Sequence, residues 1–349
     1  MPWHGGVVAG PRGTLPVVRR RPGKGVTAVD VILEGRELRK EFDVAAGKLH
    51  AVDGVTFQIQ RGRTLGVVGE SGCGKSTLGQ LLLGLTGVSG GRILFKGEDV
   101  THAKGVRRRA LRREMQMIFQ DPMSSLDPRL CAMELIAEPL QIYKVCPSRA
   151  ALEERVRGLM ELVGISERMM YAYPHELDGG RRQRIGIARA LALEPDFIVC
   201  DEPVSALDVS IQAQVLNLLK QLQRDRGLTY LFITHDLSVV KHISDDILVM
   251  YMGQMVEKAP SKTLFRAPMH PYTKGLLSAI PIPSLHGRRD RIIMEGEITS
   301  PVNPKPGCRF AARCPYAQER CRREQPDLRE LEPGHFVGCH YAPELSGGG

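Results

Sequence analysis

Short apolar runs that end in a glycine loop or a polar side chain recur along the chain. They occupy residues 64–68, 117–119, 197–200 and 230–233. Short continuous apolar runs bounded by polar residues are typical of strands buried in a parallel sheet. Ligands of such sheets gather at the carboxyl ends of the strands. The pattern therefore predicts an α/β core whose functional side chains directly follow the strands.

A glycine-rich loop, Gly69-Glu-Ser-Gly-Cys-Gly-Lys-Ser-Thr77, follows the first run, and an apolar helix at 78–85 follows the loop. This strand–loop–helix context indicates a phosphate-binding loop, in which backbone N–H groups and the positive end of the helix surround the phosphates. We expect Lys75 to reach the β- and γ-phosphates and Ser76 to bind Mg²⁺. The other predicted nucleotide contacts of the loop are Gly69, Ser71, Gly72, Gly74 and Thr77. Binding of ATP or GTP follows.

Polar side chains after three further runs complete the predicted catalytic site. Asp201 is expected to hold Mg²⁺ through water, and Glu202 to polarise the attacking water as general base. Gln120 is expected to sense Mg²⁺ and water, and His235 to contact the γ-phosphate. A lone Gln or His after a strand is often only a structural hydrogen-bonding residue, and that alternative stays open.

Composition fits a soluble globular protein that does not itself cross a bilayer. The chain has 349 residues, of which 42% are hydrophobic and 25% charged. Its longest apolar runs are far shorter than the roughly 18–20 residues that a membrane span needs. The net charge of +9 predicts acidic partners such as nucleotides, anionic lipids or nucleic acid, without choosing among them. Residues 1–30, rich in Gly, Pro and Arg, are predicted to be a disordered tail.

Residues 31–265 resemble the ATP-binding subunits of ABC transporters. The matching features are the phosphate loop, Gln120, a signature region at 177–184, the Asp201-Glu202-Pro sequence, the turn ending in Asp208, and His235. The resemblance implies a RecA-like P-loop core, an antiparallel β subdomain and a helical insertion at about 121–180. It also implies that two such subunits sandwich two ATP molecules. Each ATP would then meet the Asp178, Gly179 and Gly180 of the opposite subunit.

The same resemblance implies a place for adenine and a set of partners. Phe42 lies where the family often stacks an aromatic ring on adenine, and a core strand residue is the alternative. The implied partners are a second ATPase subunit, two membrane permease subunits and an external solute-binding protein, with no nucleic acid. The subunit would thus sit peripherally at the cytoplasmic face of the membrane.

Residues 266–349 resemble the C-terminal extension of oligopeptide and dipeptide importers. The similarity lies in the stretches at 270–281 and 301–315, which are more specific than the ATPase motifs. It implies import of peptides powered by ATP hydrolysis. Import of another small solute, such as nickel or a sugar, remains an alternative. A nucleic-acid-associated ABC ATPase is a second alternative, since residues 107–113 form a basic run.

Four of the eight cysteines, Cys308, Cys314, Cys321 and Cys339, cluster with 5, 6 and 17 residues between them. Zinc sites usually draw two ligands from a knuckle with about two to four intervening residues, and this cluster has none. Thiolates at wider spacing can hold a 4Fe–4S cluster, and the importer resemblance favours that cofactor. The arginines expected to offset its negative charge are Arg309, Arg313, Arg320, Arg322 and Arg323. Zinc with His335 or His340, and free thiols, are the alternatives.

One residue of the signature region departs from the family pattern. The family usually has Leu-Ser-Gly-Gly-Gln, whereas this chain has Leu177-Asp-Gly-Gly-Arg181. An ionised Asp178 has no proton to donate to a γ-phosphate and carries a like charge, which Arg181 only partly offsets. The hypothesis is an asymmetric ATPase heterodimer, in which the site completed by Asp178 turns ATP over slowly. The alternative is that Asp178 only caps a helix.

Overall fold

The computed structural model describes residues 30–280, 292–294, 296 and 300–346. The predicted disordered tail lies, apart from Asp30, outside the described residues. The strands are β1 Val31–Val44, β2 Gly47–Gln60, β3 Thr64–Val68, β4 Gly90–Phe95, β5 Glu98–Asp99, β6 Met115–Ile118, β7 Phe197–Asp201, β8 Thr229–Ile233, β9 Asp246–Tyr251, β10 Gln254–Pro260, β11 Arg329–Glu332 and β12 His335–Val337.

The α-helices of the same residues are α1 Lys75–Leu82, α2 Gly105–Glu114, α3 Pro122–Ser125, α4 Ala132–Ile142, α5 Arg149–Leu162, α6 Gly179–Leu191, α7 Val209–Arg226, α8 Leu237–Ile243, α9 Ser261–Arg266, α10 Pro271–Ser278, α11 Glu319–Arg323 and α12 Ala342–Ser346. Short 3₁₀ turns occupy Glu167–Met169 and Pro174–Glu176. None of these helices combines the length and the apolar character that a membrane span requires.

The larger of two compact units comprises residues 29–120 and 195–349 and is built on an eight-stranded sheet. The strand order is β11-β12-β10-β9-β3-β8-β7-β6, and the five strands from β9 to β6 are parallel. Every residue of β3, β7 and β8 is buried. Continuous apolar sequence is what a parallel strand covered on both faces requires, so the runs at 64–68, 197–200 and 230–233 were correctly predicted as strands.

A second, antiparallel sheet of this unit has the order β2-β1-β4-β5. Buried and more exposed positions alternate at the end of β2, where Val55, Phe57 and Ile59 point into the core. Alternation of this kind is typical of an antiparallel sheet with one covered face. The predicted antiparallel β subdomain is therefore confirmed.

The smaller unit, residues 121–194, is helical. Helix α4 packs against α5 and α6, and its buried residues include Leu135, Ile136 and Leu140. Ser148 caps α5 by accepting a hydrogen bond from the Ala151 N–H at 3.2 Å, as N-cap serines commonly do. The predicted helical subdomain is thus confirmed.

The C-terminal segment extends the large sheet rather than standing apart from it. Strand β12 pairs with β10, placing Val337 opposite Glu257, and β11 pairs with β12. Glu257 and His335 are fully buried, and His335 Nε2 lies 2.7 Å from the Glu257 carboxylate. The same carboxylate accepts the N–H groups of Met269 at 2.8 Å and His270 at 3.0 Å. Burial lowers the pKa of His270 to about 4, so its ring is neutral near pH 7.

We predict that Glu257→Gln lowers the free energy of unfolding by about 3 kcal/mol, because an amide nitrogen replaces one of the acceptor oxygens of a buried network. Urea unfolding followed by circular dichroism measures the loss. Arg320→Gln is the control, since Arg320 and Glu324 form an exposed pair in the same segment and exposed pairs contribute below about 1 kcal/mol. Equal losses in the two variants would contradict this account.

Candidate active site

The glycine loop lies between the end of β3 and the start of α1. Gly74 precedes the helix with φ +103°, a conformation that disfavours any side chain. A Cβ at Gly74 would lie 2.0 Å from the Ala51 carbonyl oxygen, so the loop approaches β2 too closely for any other residue. Gly69 and Gly72 also have positive φ, and Ser71 is exposed. The backbone thus has the glycine-dependent shape expected of a phosphate loop.

The first residues of α1 carry the predicted phosphate and magnesium contacts. The buried Lys75 places Nζ 2.9 Å from each of the carbonyl oxygens of Gly69 and Glu70. Ser76 Oγ donates a hydrogen bond to Asp201 Oδ1 at 2.9 Å, and Thr77 is half-buried on the same turn. A primary amine, a hydroxyl and a carboxylate next to a glycine loop fit the phosphates and the divalent cation of a nucleotide.

Asp201 is the last residue of β7 and is buried. Burial raises the pKa of its carboxyl group, while the hydrogen bond from Ser76 and the charge of Lys75 act in the opposite direction. A bound Mg²⁺ would favour the ionised form, because a nearby cation stabilises a carboxylate. The buried carboxylate of Asp201 is therefore a suitable oxygen ligand for a metal ion.

Glu202 is held between the two other predicted catalytic side chains. Its carboxylate lies 3.2 Å from His235 Nδ1 through Oε1 and accepts a hydrogen bond from Gln120 Nε2 at 3.1 Å through Oε2. Its own N–H donates to the Ile233 carbonyl at 2.9 Å, and its φ is +45°. A non-glycine residue in this backbone region is strained, and such strain clusters at functional sites. The structure thus brings together Gln120, Glu202 and His235 as predicted, and their individual roles remain predictions.

Phe42 lies on β1 with 37% of its surface exposed, and Lys40 Nζ lies 4.7 Å from the centre of its ring. The alternative that Phe42 is a core residue is therefore wrong. An exposed aromatic ring remains available to stack on a base, which is still a prediction.

Asp178 and Asp208 both act as helix caps. Asp178 Oδ1 accepts the Arg181 N–H at 2.7 Å at the start of α6, whose first turn contains Gly179 and Gly180. Its other oxygen lies 3.4 Å from Arg181 Nη1, and both side chains are at least half exposed. Asp208 accepts the Ile211 N–H at 3.0 Å at the start of α7. The capping interpretation of Asp178 is thus correct, and it leaves the charge hypothesis open.

Contacts between the C-terminal segment and the phosphate loop were not predicted from the sequence. Arg313 Nη1 donates to both carboxylate oxygens of Glu70, at 2.8 and 3.1 Å. Arg309 pairs with Asp53 and also donates to the Met252 carbonyl. The expectation that these two arginines offset the charge of a cofactor is wrong, because each is paired with a carboxylate elsewhere. Arg320 and Arg323 are likewise paired, with Glu324 and Glu319. Only the place of Arg309 and Arg313 between Cys308 and Cys314 marked them in the sequence.

The four clustered cysteines do lie together. Cys308, Cys314, Cys321 and Cys339 line one pocket, beside Phe310 and Tyr341. Burial raises the pKa of Cys308 to about 12 and that of Cys314 to about 11, and the neighbouring thiols add to both shifts. Thiolates at this site therefore need a compensating positive charge.

Among the described residues, no group of three or more His, Cys, Asp and Glu side chains is arranged to hold a metal ion. This finding argues against the zinc alternative, because zinc draws its ligands to one point. The expected 4Fe–4S cluster gains no support from it either.

Two protein-family models match this chain, one in the ATPase region and one in the C-terminal extension. The ABC transporter family model matches residues 52–205, and the model of the oligopeptide/dipeptide transporter C-terminal region matches residues 256–321. The putative oligopeptide transport ATP-binding protein YkfD of Bacillus subtilis is 54% identical over 314 residues, which are 88% of this chain and 95% of that protein. This chain belongs to the ATP-binding proteins of ABC transporters.

Further relatives agree with this assignment. The oligopeptide transport ATP-binding protein OppF of Salmonella typhimurium is 50% identical over 320 residues, with 88% of this chain and 96% of OppF covered. A dimeric, post-hydrolysis structure of the ATP-binding cassette MJ0796 with ADP and Pi covers 66% of this ABC protein and 99% of its own chain, at 26% identity and a TM-score of 0.61. The predicted family, fold class and ATPase activity are thereby confirmed.

Proposed function

We propose that this ABC ATPase hydrolyses ATP at the site around Lys75 and Glu202 to power the import of oligopeptides or dipeptides. The arrangement that carries the proposal is Glu202 held between Gln120 and His235, next to the Ser76–Asp201 pair. The C-terminal match and the names of the relatives support peptides as the solute. The reaction converts ATP and water into ADP and inorganic phosphate.

Each side chain of the site has a task in that reaction. Lys75 would bind the β- and γ-phosphates, and Ser76 and Asp201 would hold Mg²⁺, which would neutralise phosphate charge. Glu202 accepts the proton of the attacking water at a carboxylate oxygen. Gln120 would sense Mg²⁺ and water and His235 would contact the γ-phosphate, and both side chains also contact this carboxylate. Phe42 stacks on the adenine.

The proposed assembly contains a second ATPase subunit, two membrane permease subunits and an external solute-binding protein. The relatives' names include oligopeptide transport, which supports these transporter partners. The dimeric state of MJ0796 supports pairing of two cassettes. The subunit would lie peripherally at the cytoplasmic face of the membrane. We divide it into the ATPase domain 31–265 and the extension 266–349, with a tail at 1–30.

Replacing the general base tests this function. In proteoliposomes that contain the whole transporter, we expect Glu202→Gln to retain ATP binding and to lower ATP hydrolysis and uptake of a labelled peptide at least ~100-fold, the scale of general-base catalysis. Glu154→Gln, an exposed acid on α5, is the matched control. Uptake of nickel or a sugar but not of peptides would overturn the solute assignment. Full activity of Glu202→Gln would overturn the catalytic one.

The ATPase pair is proposed to be an unequal heterodimer. Asp178 presents a carboxylate where the family pattern has a serine hydroxyl, so the ATP that meets it would be repelled and hydrolysed slowly. The partner's intact signature would complete the site of this chain, which has its own Asp201 and Glu202. One competent and one slow site follow from this asymmetry.

We expect Asp178→Ser to raise the steady-state ATPase rate of the assembled transporter about twofold, because a second competent site would be added. Serine also caps helices, so thermal stability should not change. Asp178→Glu keeps the negative charge and is the control, for which we expect no gain in the ATPase rate. An unchanged rate and unchanged ATP occupancy in Asp178→Ser would contradict the unequal pair.

The pocket lined by four cysteines is proposed to hold a 4Fe–4S cluster. In such a cluster each thiolate binds a different iron, so the four sulfur atoms surround a volume and need not converge on one point. The shared pocket of Cys308, Cys314, Cys321 and Cys339 supports this arrangement. The cluster would tie four separate parts of the extension together.

Anaerobically purified protein is expected to be brown, with an absorbance band at about 400 nm and about four iron atoms per chain. Cys321→Ser should lose the colour, whereas Cys146→Ser, which lies outside the extension, should keep it. Colourless protein with one zinc per chain, or with neither metal, would overturn the assignment.

A further inference from the structure

We infer that Arg313 is a positioning residue of the nucleotide site: it holds and neutralises Glu70 of the phosphate loop, so that affinity for ATP depends on the C-terminal extension. The inference deepens the proposed function and rests on ATP binding at that loop, not on the solute. It gives the extension a direct part in nucleotide binding.

The pair between Arg313 and Glu70 is close and largely shielded from water. One guanidinium nitrogen contacts both carboxylate oxygens, at 2.8 and 3.1 Å. The side chains are only 9% and 22% exposed. Charge-assisted hydrogen bonds with little solvent exposure are stronger and less screened by salt than surface pairs. The contact is therefore a stable part of the loop and not a transient surface pair.

Glu70 is also fixed through its backbone. Its carbonyl accepts Lys75 Nζ at 2.9 Å, and its N–H donates to Tyr272 Oη at 2.9 Å. The Tyr272 ring packs against Phe310, with centroids 5.4 Å apart, and Phe310 lies between the two arginines of the segment 308–314. Main chain and side chain of one phosphate-loop residue thus both depend on the C-terminal part of the chain.

The charge of Glu70 explains why the pairing affects ATP. A carboxylate in the phosphate loop repels the negatively charged nucleotide unless a cation cancels it, and the repulsion is larger in a partly buried site than in water. Among the described contacts, Arg313 is the cation paired with Glu70. Loss of Arg313 would leave an uncompensated negative charge beside the phosphates. Loss of both Arg313 and Glu70 would remove this negative charge together with the cation that pairs with it.

The extension also contacts β2, the strand that the loop approaches. Arg309, with only 6% of its side chain exposed, pairs with Asp53 on β2, two residues after the Ala51 that the loop approaches at Gly74. The Asn303 side chain accepts the Lys48 N–H at 2.9 Å and donates to the Ala46 carbonyl at 3.1 Å, at the turn between β1 and β2. Both the phosphate loop and the hairpin that carries Phe42 are therefore in contact with the extension.

A double-mutant cycle on the full-length chain tests the inference, with ATP affinity measured by equilibrium titration. We expect Arg313→Gln to raise the Kd for ATP about tenfold and Arg313→Gln with Glu70→Gln to bring it back to within about twofold of wild type. Glu70→Gln alone should not raise the Kd. Arg320→Gln removes an arginine of the same extension that pairs with an exposed glutamate, and it should bind ATP as wild type does.

The outcomes separate this inference from the proposed function. If wild type fails to bind ATP, the proposed function is wrong. If wild type binds and Arg313→Gln binds equally well, or if the double variant is as weak as Arg313→Gln, the positioning role is wrong. Should Arg313→Gln not fold, Arg313→Lys keeps the charge and should bind within about threefold of wild type. A tenfold loss in that variant would also overturn the charge argument.

Discussion

The register of the parallel sheet is the constraint on which the rest of this structure depends. Val67 of β3 and Asp201 of β7 both pair with Ile233 of β8, so three strands end in one row. Whatever follows each strand must then emerge at the same edge of the sheet. This is why the phosphate loop, Glu202 and His235 meet although they are far apart in sequence. The backbone N–H of Glu202 still bonds the Ile233 carbonyl, and the positive φ of Glu202 lies directly at this strand end.

Electrostatic balance is the second common feature of the site. Lys75, Asp201 and Glu202 are crowded around a loop that must accept a highly charged nucleotide, and each carboxylate there has a partner. Burial favours such pairing because an isolated charge in a partly dry site is costly. The pair between Glu70 and Arg313 belongs to the same balance and draws the C-terminal extension into it. The extension is therefore joined to the ATPase core by strand pairing, by a buried glutamate–histidine contact and by charge.

Local motifs explain why much of the fold was predictable. A phosphate loop, a strand that ends in two acids and an N-capped helix each depend on a few neighbouring residues, so Lys75, Asp201 and Asp178 were placed on the correct elements. The roles of Arg309 and Arg313 were predicted wrongly. Their carboxylate partners lie more than two hundred residues away, and no periodicity shows which acid an arginine will meet. The exposure of Phe42 was equally undetermined, because strand propensity does not distinguish the two faces of a strand.

The sequence by itself determined the chemistry of this protein: the order of strand, loop and helix around the phosphates, the acids after β7 and the four thiols near the C-terminus. These features follow from residue type and from short spacings, because each motif depends on residues that are close in sequence. Tertiary structure decided which groups meet. It placed Glu202 between Gln120 and His235, brought the thiols to one pocket and joined Glu70 to Arg313. Pair interactions depend on distance and burial, and only the packed sheet and its extension set these two quantities.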